Sequence, residues 1–184
     1  MNINIIKQSL PDYAKDLKIN LANVLDADQH QHLSPEQVAG VALATAIAGR
    51  NRALIDAVDA VAGDVLSPEY RSAARAAAAI MGMNNIYYRF VHLADNDEYG
   101  KLPARLRMTV VGNPGIDKVD FELMSLAVSA INGCGLCISS HEKVLSKAGV
   151  TAQAIQDAVR IASVMHAVAV VLDTDAAIAL PAAA

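Results

Sequence analysis

Ser34-Pro35-Glu36-Gln37 and Ser67-Pro68-Glu69 carry the same helix-start signal, in a chain with no strand signal. A serine can cap a helix, proline suits the first helical position, and Gln37 can close a capping box. Alanine-rich runs follow both starts, and alanine is the strongest helix former. The sequence predicts helices from Ser34 to about Ala48, from Asn51 to Ala62, from Ser67 to about Met81, and from Asn84 to Leu93. Gly49 and Gly63 stop the first two. Pro11 with Tyr13, Leu17, Ile19, Leu21 and Leu25 predicts an amphipathic helix over 11–25. The polar stretch 26–33 reads as a solvated loop, because His30 and His32 are spaced so that they share no helical face. Residues 94–116, closed by Asn113-Pro114-Gly115, read as a junction. No segment alternates in the manner of a half-buried strand, so the expected fold class is all-α.

Shifted by 84 places, the first half lies over the second. Ala46-Ile47-Ala48-Gly49 then meets Ala130-Ile131-Asn132-Gly133, and Ala74, Ala78 and Met81 meet Ala158, Ala162 and Met165. Helix starts and stops keep step, which points to a helical unit used twice. The expected organisation is one domain over 1–184, built from two similar helical repeats. Residues 1–100 form a scaffold half with an N-terminal helix, and 101–184 form a half that carries chemistry. The distinction comes from the mismatches. Cys134 falls on Arg50, Cys137 on Ala53, His141 on Ala57 and Glu122 on Val38.

Composition narrows the function classes. A net charge of −4 with no basic cluster argues against nucleic acid as a partner. Hydrophobic residues make up 54% of the 184, which suggests close helix packing and a buried subunit interface. The apolar run Ile161 to Leu172 is interrupted by His166 and closed by Asp173, short of the roughly 20 residues a bilayer needs. The start Met-Asn-Ile-Asn-Ile-Ile-Lys shows no signal peptide, so a cytoplasmic protein is expected. His92 and His166 sit within apolar runs and read as core or interface residues.

The two cysteines of the chain stand two residues apart in Asn132-Gly133-Cys134-Gly135-Leu136-Cys137. A cytosolic pair so spaced is more often catalytic, redox or metal-binding than a structural staple. Helices are expected over Asp117 to Ile131 and from about Cys134 to Gly149, with Asn132-Gly133 between them. Spacings of three and four put Cys134, Cys137 and His141 on one side of the second helix. Thiols in its first turn lie near unpaired N–H groups and the positive helix end, which favour the thiolate. The pair can close a disulfide with little backbone movement. His141 can take or return a proton. Glu122, on the preceding helix, can bond His141 and orient it. Zinc is the rival reading, since two thiolates, an imidazole and a carboxylate can complete a tetrahedron. Structural zinc sites usually draw on two separated ligand pairs, and only one is present. A thioredoxin fold would need a strand before the motif, where a helix is expected.

The stretch from Phe121-Glu122-Leu123 through Ser129-Ala130-Ile131-Asn132-Gly133-Cys134 to Cys137 and His141-Glu142 closely resembles the alkyl hydroperoxide reductase D proteins, of the carboxymuconolactone decarboxylase-like superfamily. The resemblance implies a compact helical domain assembling as a homotrimer. It implies an antioxidant, lipoyl-dependent alkyl hydroperoxidase with no bound cofactor and no metal. Its reductant would be the dihydrolipoyl group of a lipoylated acyltransferase. It would also pass electrons to a peroxiredoxin of the alkyl hydroperoxide reductase C type. By motif position, Cys137 would form the sulfenic acid, and Cys134 would be the proton donor and disulfide partner. Glu122 and His141 would form the proton relay. Decarboxylases of the superfamily lack the cysteine pair. Well-known members carry a histidine just before the second cysteine, where this chain has Leu136. A relay through that imidazole is not available, while disulfide exchange needs only the two thiols.

Overall fold

The computed structural model describes residues 3–179, and among them ten α-helices and no strand. In order these are α1 (Ile3–Ser9), α2 (Lys15–Leu25), α3 (Pro35–Gly49), α4 (Arg52–Ala62), α5 (Pro68–Leu93), α6 (Glu98–Lys101), α7 (Thr109–Gly112), α8 (Lys118–Ile131), α9 (Gly135–Lys147) and α10 (Ala152–Ala179). The chain is all-α, as its punctuation predicts. Ser34 Oγ accepts from the Gln37 N–H at 3.2 Å, and Gln37 Oε1 accepts from the Ser34 N–H at 2.9 Å. Ser67 Oγ caps α5 through the Tyr70 N–H at 3.3 Å, and Asn51 Oδ1 caps α4 through the Leu54 N–H at 2.9 Å.

Four expectations need correction. The helices predicted either side of residues 82–83 are one, because α5 runs unbroken through Gly82. That glycine costs a helix roughly 1 kcal/mol relative to alanine. Ala73, Ala74, Ala77, Ala78 and Met81, buried on the same helix, more than offset it. The N-terminal segment is broken as well, with α1 before Pro11 and a 3₁₀ turn, Asp12–Ala14, leading into α2. His30 is not solvated: its side chain is 5% exposed, and Nε2 lies 3.1 Å from the Val24 carbonyl oxygen. A 3₁₀ turn, Ala27–Gln29, precedes it in the bend between α2 and α3. His32 is exposed as expected. Finally, His92 and His166 are both exposed on this chain, which removes the core reading and leaves the interface one. Their apolar sequence neighbours fall on other faces of α5 and α10.

The centre of the molecule is the pair α3 and α8, which pack on each other. Val38, Val41, Ala42, Leu43, Ala44, Thr45 and Ala46 are buried on α3, as is every residue from Phe121 to Ser129 on α8. A helix apolar on all sides is one enclosed on all sides. The long helices α5 and α10 each pack against both members of the pair. At the starts of α3, α5 and α8, Asp120 accepts hydrogen bonds from Gln37 Nε2 at 2.7 Å and from the Tyr70 hydroxyl. Burial and the Asp120 carboxylate together push the Tyr70 phenol well above its ordinary range.

Under the offset of 84, α3, α4 and α5 overlie α8, α9 and α10 to within two residues at each end. Neighbours keep step too, since α3 packs on α4 and α5 as α8 packs on α9 and α10. α10 is longer than its apolar run suggests. Ala152–Asp175 has the length and hydropathy to cross a membrane by those criteria alone. Its buried apolar positions, Ala154, Ala158, Ile161, Ala162, Met165, Val168 and Ala169, recur at helical spacing, and the helix packs on α3, α8 and α2. This is the pattern of a core helix.

Two glycines test this packing in opposite directions. A Cβ on Gly40 would collide with Met124 Cε of α8, whereas nothing lies within 4 Å of one on Gly82. Gly40→Val is expected to lower unfolding stability by about 1–3 kcal/mol. Gly82→Ala is expected to raise it by about 0.4–1 kcal/mol. Urea denaturation followed by far-ultraviolet circular dichroism measures both.

Candidate active site

The turn between α8 and α9 is built by local chemistry. Gly133 has φ 66°, a left-handed conformation that glycine adopts without steric cost. The Cys134 N–H donates to the Ser129 carbonyl and the Gly133 N–H to the Ala130 carbonyl, both at 3.2 Å. These two bonds with a left-handed glycine are a Schellman motif, which satisfies the last carbonyls of α8. Cys134 therefore lies just past the end of α8 and is also the N-cap of α9. Its Sγ accepts the Cys137 N–H at 3.3 Å.

A hydrogen-bond network pins the turn from α5. Asn85 Nδ2 donates to Ser129 Oγ at 2.9 Å, and Asn132 Nδ2 donates to Asn85 Oδ1 at 2.9 Å. Arg89 Nη1 donates to the Asn132 carbonyl at 2.7 Å. None of Asn85, Arg89 and Ser129 is singled out by the sequence reading. The available signal was Asn84-Asn85, a polar pair inside a long helix whose preceding turns are alanine-rich.

Cys134 and Cys137 are joined as a disulfide. Cys134 is fully buried and Cys137 is 6% exposed. Glu122 projects from the middle of α8 and is 4% exposed. Its Oε2 lies 2.6 Å from His141 Nδ1, with both side chains nearly enclosed. An ionised carboxylate only accepts, so Nδ1 is the donor of this bond. Glu122 thus orients the His141 ring.

The four sequence-selected residues meet, though not as one row. Cys137 and His141 lie four apart on α9 and line a cavity of about 620 Å³. Cys134 stands behind Cys137 at the helix start, and Glu122 stands behind His141. Met81, Asn84 and Tyr88 of α5 form one wall of the cavity, and Met108, Val111 and Gly112 form another. Leu136 and Ser140 complete the side given by α9. The arrangement exposes one sulfur and one imidazole to a mostly apolar space, with a second sulfur and a carboxylate held behind them.

Comparison with known proteins places this arrangement in a lineage. Residues 97–180 match the Carboxymuconolactone decarboxylase family. A protein of Gluconacetobacter diazotrophicus named alkyl hydroperoxide reductase AhpD is 56% identical over 97% of this chain and 96% of its own length. Proteins of the same name from Streptomyces coelicolor and from a Bradyrhizobium species are 53% and 52% identical, covering 97% and 100% of this chain and 99% of their own lengths. At such identity from end to end, this chain belongs to the alkyl hydroperoxide reductase AhpD family.

Proposed function

We propose that this protein is an antioxidant thiol peroxidase and disulfide reductase that cycles the Cys134–Cys137 pair. One observation carries the reading: Cys137 meets the cavity beside His141, while Cys134 is buried behind it at a helix start. The name shared by the relatives supports peroxide reduction as the chemistry.

In the reduced protein, His141 takes the proton of Cys137. The Cys137 thiolate then attacks the terminal oxygen of a hydroperoxide. An S–O bond forms as the O–O bond breaks, giving a sulfenic acid and an alkoxide. Cys134 gives its proton to the alkoxide, which leaves as the alcohol. The remaining Cys134 thiolate is stabilised by the Cys137 N–H and the positive end of α9. It attacks the Cys137 sulfur, closing the disulfide. The departing hydroxide takes the proton held by His141 and leaves as water.

Reopening follows from the same geometry. An incoming thiolate reaches Cys137 Sγ from the cavity, since Cys134 is fully covered. Cys134 is then the leaving thiolate, again held by the α9 start, and a stabilised leaving group speeds exchange. A dihydrolipoyl group on a lipoylated acyltransferase fits this step as the reductant, because a 1,3-dithiol attacks twice within one molecule. The reduced pair would in turn reduce an oxidised peroxiredoxin of the alkyl hydroperoxide reductase C type. A cytoplasmic homotrimer is the assembly proposed.

Cys134→Ser and Cys137→Ser are each expected to abolish peroxide turnover with dihydrolipoamide; turnover retained in both would sink the mechanism. His141→Gln and Glu122→Gln are expected to fold normally. Each should lower kcat/KM for peroxide by about 10²–10⁴-fold. Unchanged kinetics in either variant would make that residue structural. Stopped-flow peroxide consumption, with thermal melts as the control for folding, gives both answers.

A further inference from the structure

The cavity over Cys137 holds one enclosed polar side chain that no step above uses. Most of its lining away from α9 is apolar, from Met81, Tyr88, Met108 and Val111, and Leu136 adds to it on the α9 side. Asn84 is the exception. It is only 6% exposed, and its Oδ1 is buried with no hydrogen-bond partner among the described residues. Buried amides are nearly always paired. The next residue, Asn85, shows the ordinary case, with bonds to Ser129 and Asn132. A structural amide would find such partners. One enclosed beside a reactive sulfur and left without them is suited to a ligand.

We propose that Asn84 is a substrate-binding residue that holds the hydroperoxy group of an organic hydroperoxide against Cys137, while the apolar lining takes the organic part. The proposal rests on the peroxidase reading above. A hydroperoxide has one O–H donor and two acceptor oxygens, and a primary amide offers an acceptor and two donors. With the side-chain amide turned to bring Oδ1 out of its covered position, Oδ1 accepts the O–H of the terminal oxygen. Nδ2 donates to the oxygen bearing the organic group. In the attack, sulfur is oxidised as its bond to the terminal oxygen forms. The O–O bond breaks, and its electron pair goes to the oxygen that Nδ2 holds. That oxygen carries the developing alkoxide charge until the Cys134 proton reaches it. A donor aimed where charge develops helps the chemical step as well as binding. The cavity volume of about 620 Å³ lies in the range that accepts organic ligands. It far exceeds the needs of hydrogen peroxide, so the alkyl part contributes affinity.

The test compares two half-reactions of the full chain. Asn84→Leu removes both hydrogen-bonding groups at similar volume. It is expected to lower kcat/KM for cumene hydroperoxide roughly tenfold or more. The rate at which dithiothreitol reopens the Cys134–Cys137 disulfide should stay unchanged, because that step uses no peroxide oxygen. A merely structural role would alter both rates together, and that outcome overturns the proposal. So does a folded Asn84→Leu protein with wild-type peroxide kinetics. If Asn84→Leu does not fold, Asn84→Ala carries the same comparison. Cys137→Ser in the same assay separates the two levels. Peroxide turnover surviving there defeats the peroxidase reading itself. An inactive Cys137→Ser protein beside a fully active Asn84→Leu protein defeats only the role given to Asn84.

Discussion

Everything at the Cys134–Cys137 turn depends on the left-handed glycine at position 133. A Schellman turn needs a residue with positive φ immediately past the helix, and any side chain there costs about 1–2 kcal/mol. With Gly133 at φ 66°, the following residue is delivered to two places at once. It is the residue that closes α8 through the Ser129 carbonyl, and it is the cap that opens α9. Cys134 occupies this position. Its sulfur therefore sits at the positive end of a helix dipole without needing to be exposed. The second sulfur follows one turn later because the motif places it three residues on. Turn, disulfide and electrostatics share one cause, so none of them can be moved without the others.

Around this turn the protein holds two polar systems, one running from the buried Asn85 and Ser129 out to the surface and one nearly enclosed, and they do different work. The network of Asn85, Ser129, Asn132 and Arg89 fastens the end of α8 to α5. Such a network rigidifies the junction of the two helices. The pair of Glu122 and His141 is open at one end. Its carboxylate is satisfied by Nδ1, and the His141 ring lines the cavity. Burial of such a pair gives little net stability after desolvation. Its value lies in holding the His141 ring in one orientation. The all-helical scaffold can carry it because α3 and α8, with α5 and α10 across them, bury the middle of α8 on every side.

Much of this was legible in the sequence, and the parts that were not have a physical reason. Capping residues and glycine stops act locally, so Ser34, Asn51, Ser67 and Gly133 mark their helix ends correctly. The cysteine spacing, His141 one turn beyond and Glu122 on the preceding helix all follow from helical periodicity. What failed was non-local. Gly82 reads as a break, yet tertiary packing of Ala73 to Met81 carries α5 straight through it. His30 reads as solvated because its neighbours are polar, and a 3₁₀ turn tucks it in beside the Val24 carbonyl. The cavity was invisible for the same reason. Met81 and Asn84 stand on α5, Met108 and Val111 at and within the short α7, and no sequence rule brings these to a cysteine. Periodicity places residues on a face and says nothing of what the face meets.

Leu136 joins the two kinds of information. From the sequence it is an absence, an imidazole that well-known relatives carry and this chain does not. In the structure it is a presence: a 40% exposed leucine on the lining of the cavity that holds Cys137 and His141. Exchanging an imidazole for an isobutyl group removes a proton carrier and adds apolar surface at the same point. Covering the part of this side chain still exposed contributes on the order of 1 kcal/mol. The loss falls on proton transfer, where His141 remains, fixed by Glu122. The gain falls on binding the organic part of a substrate or of a dithiol reductant. Under the proposed function the two effects act on different terms of the rate, so a leucine here would favour apolar ligands and leave the proposed dithiol chemistry in place.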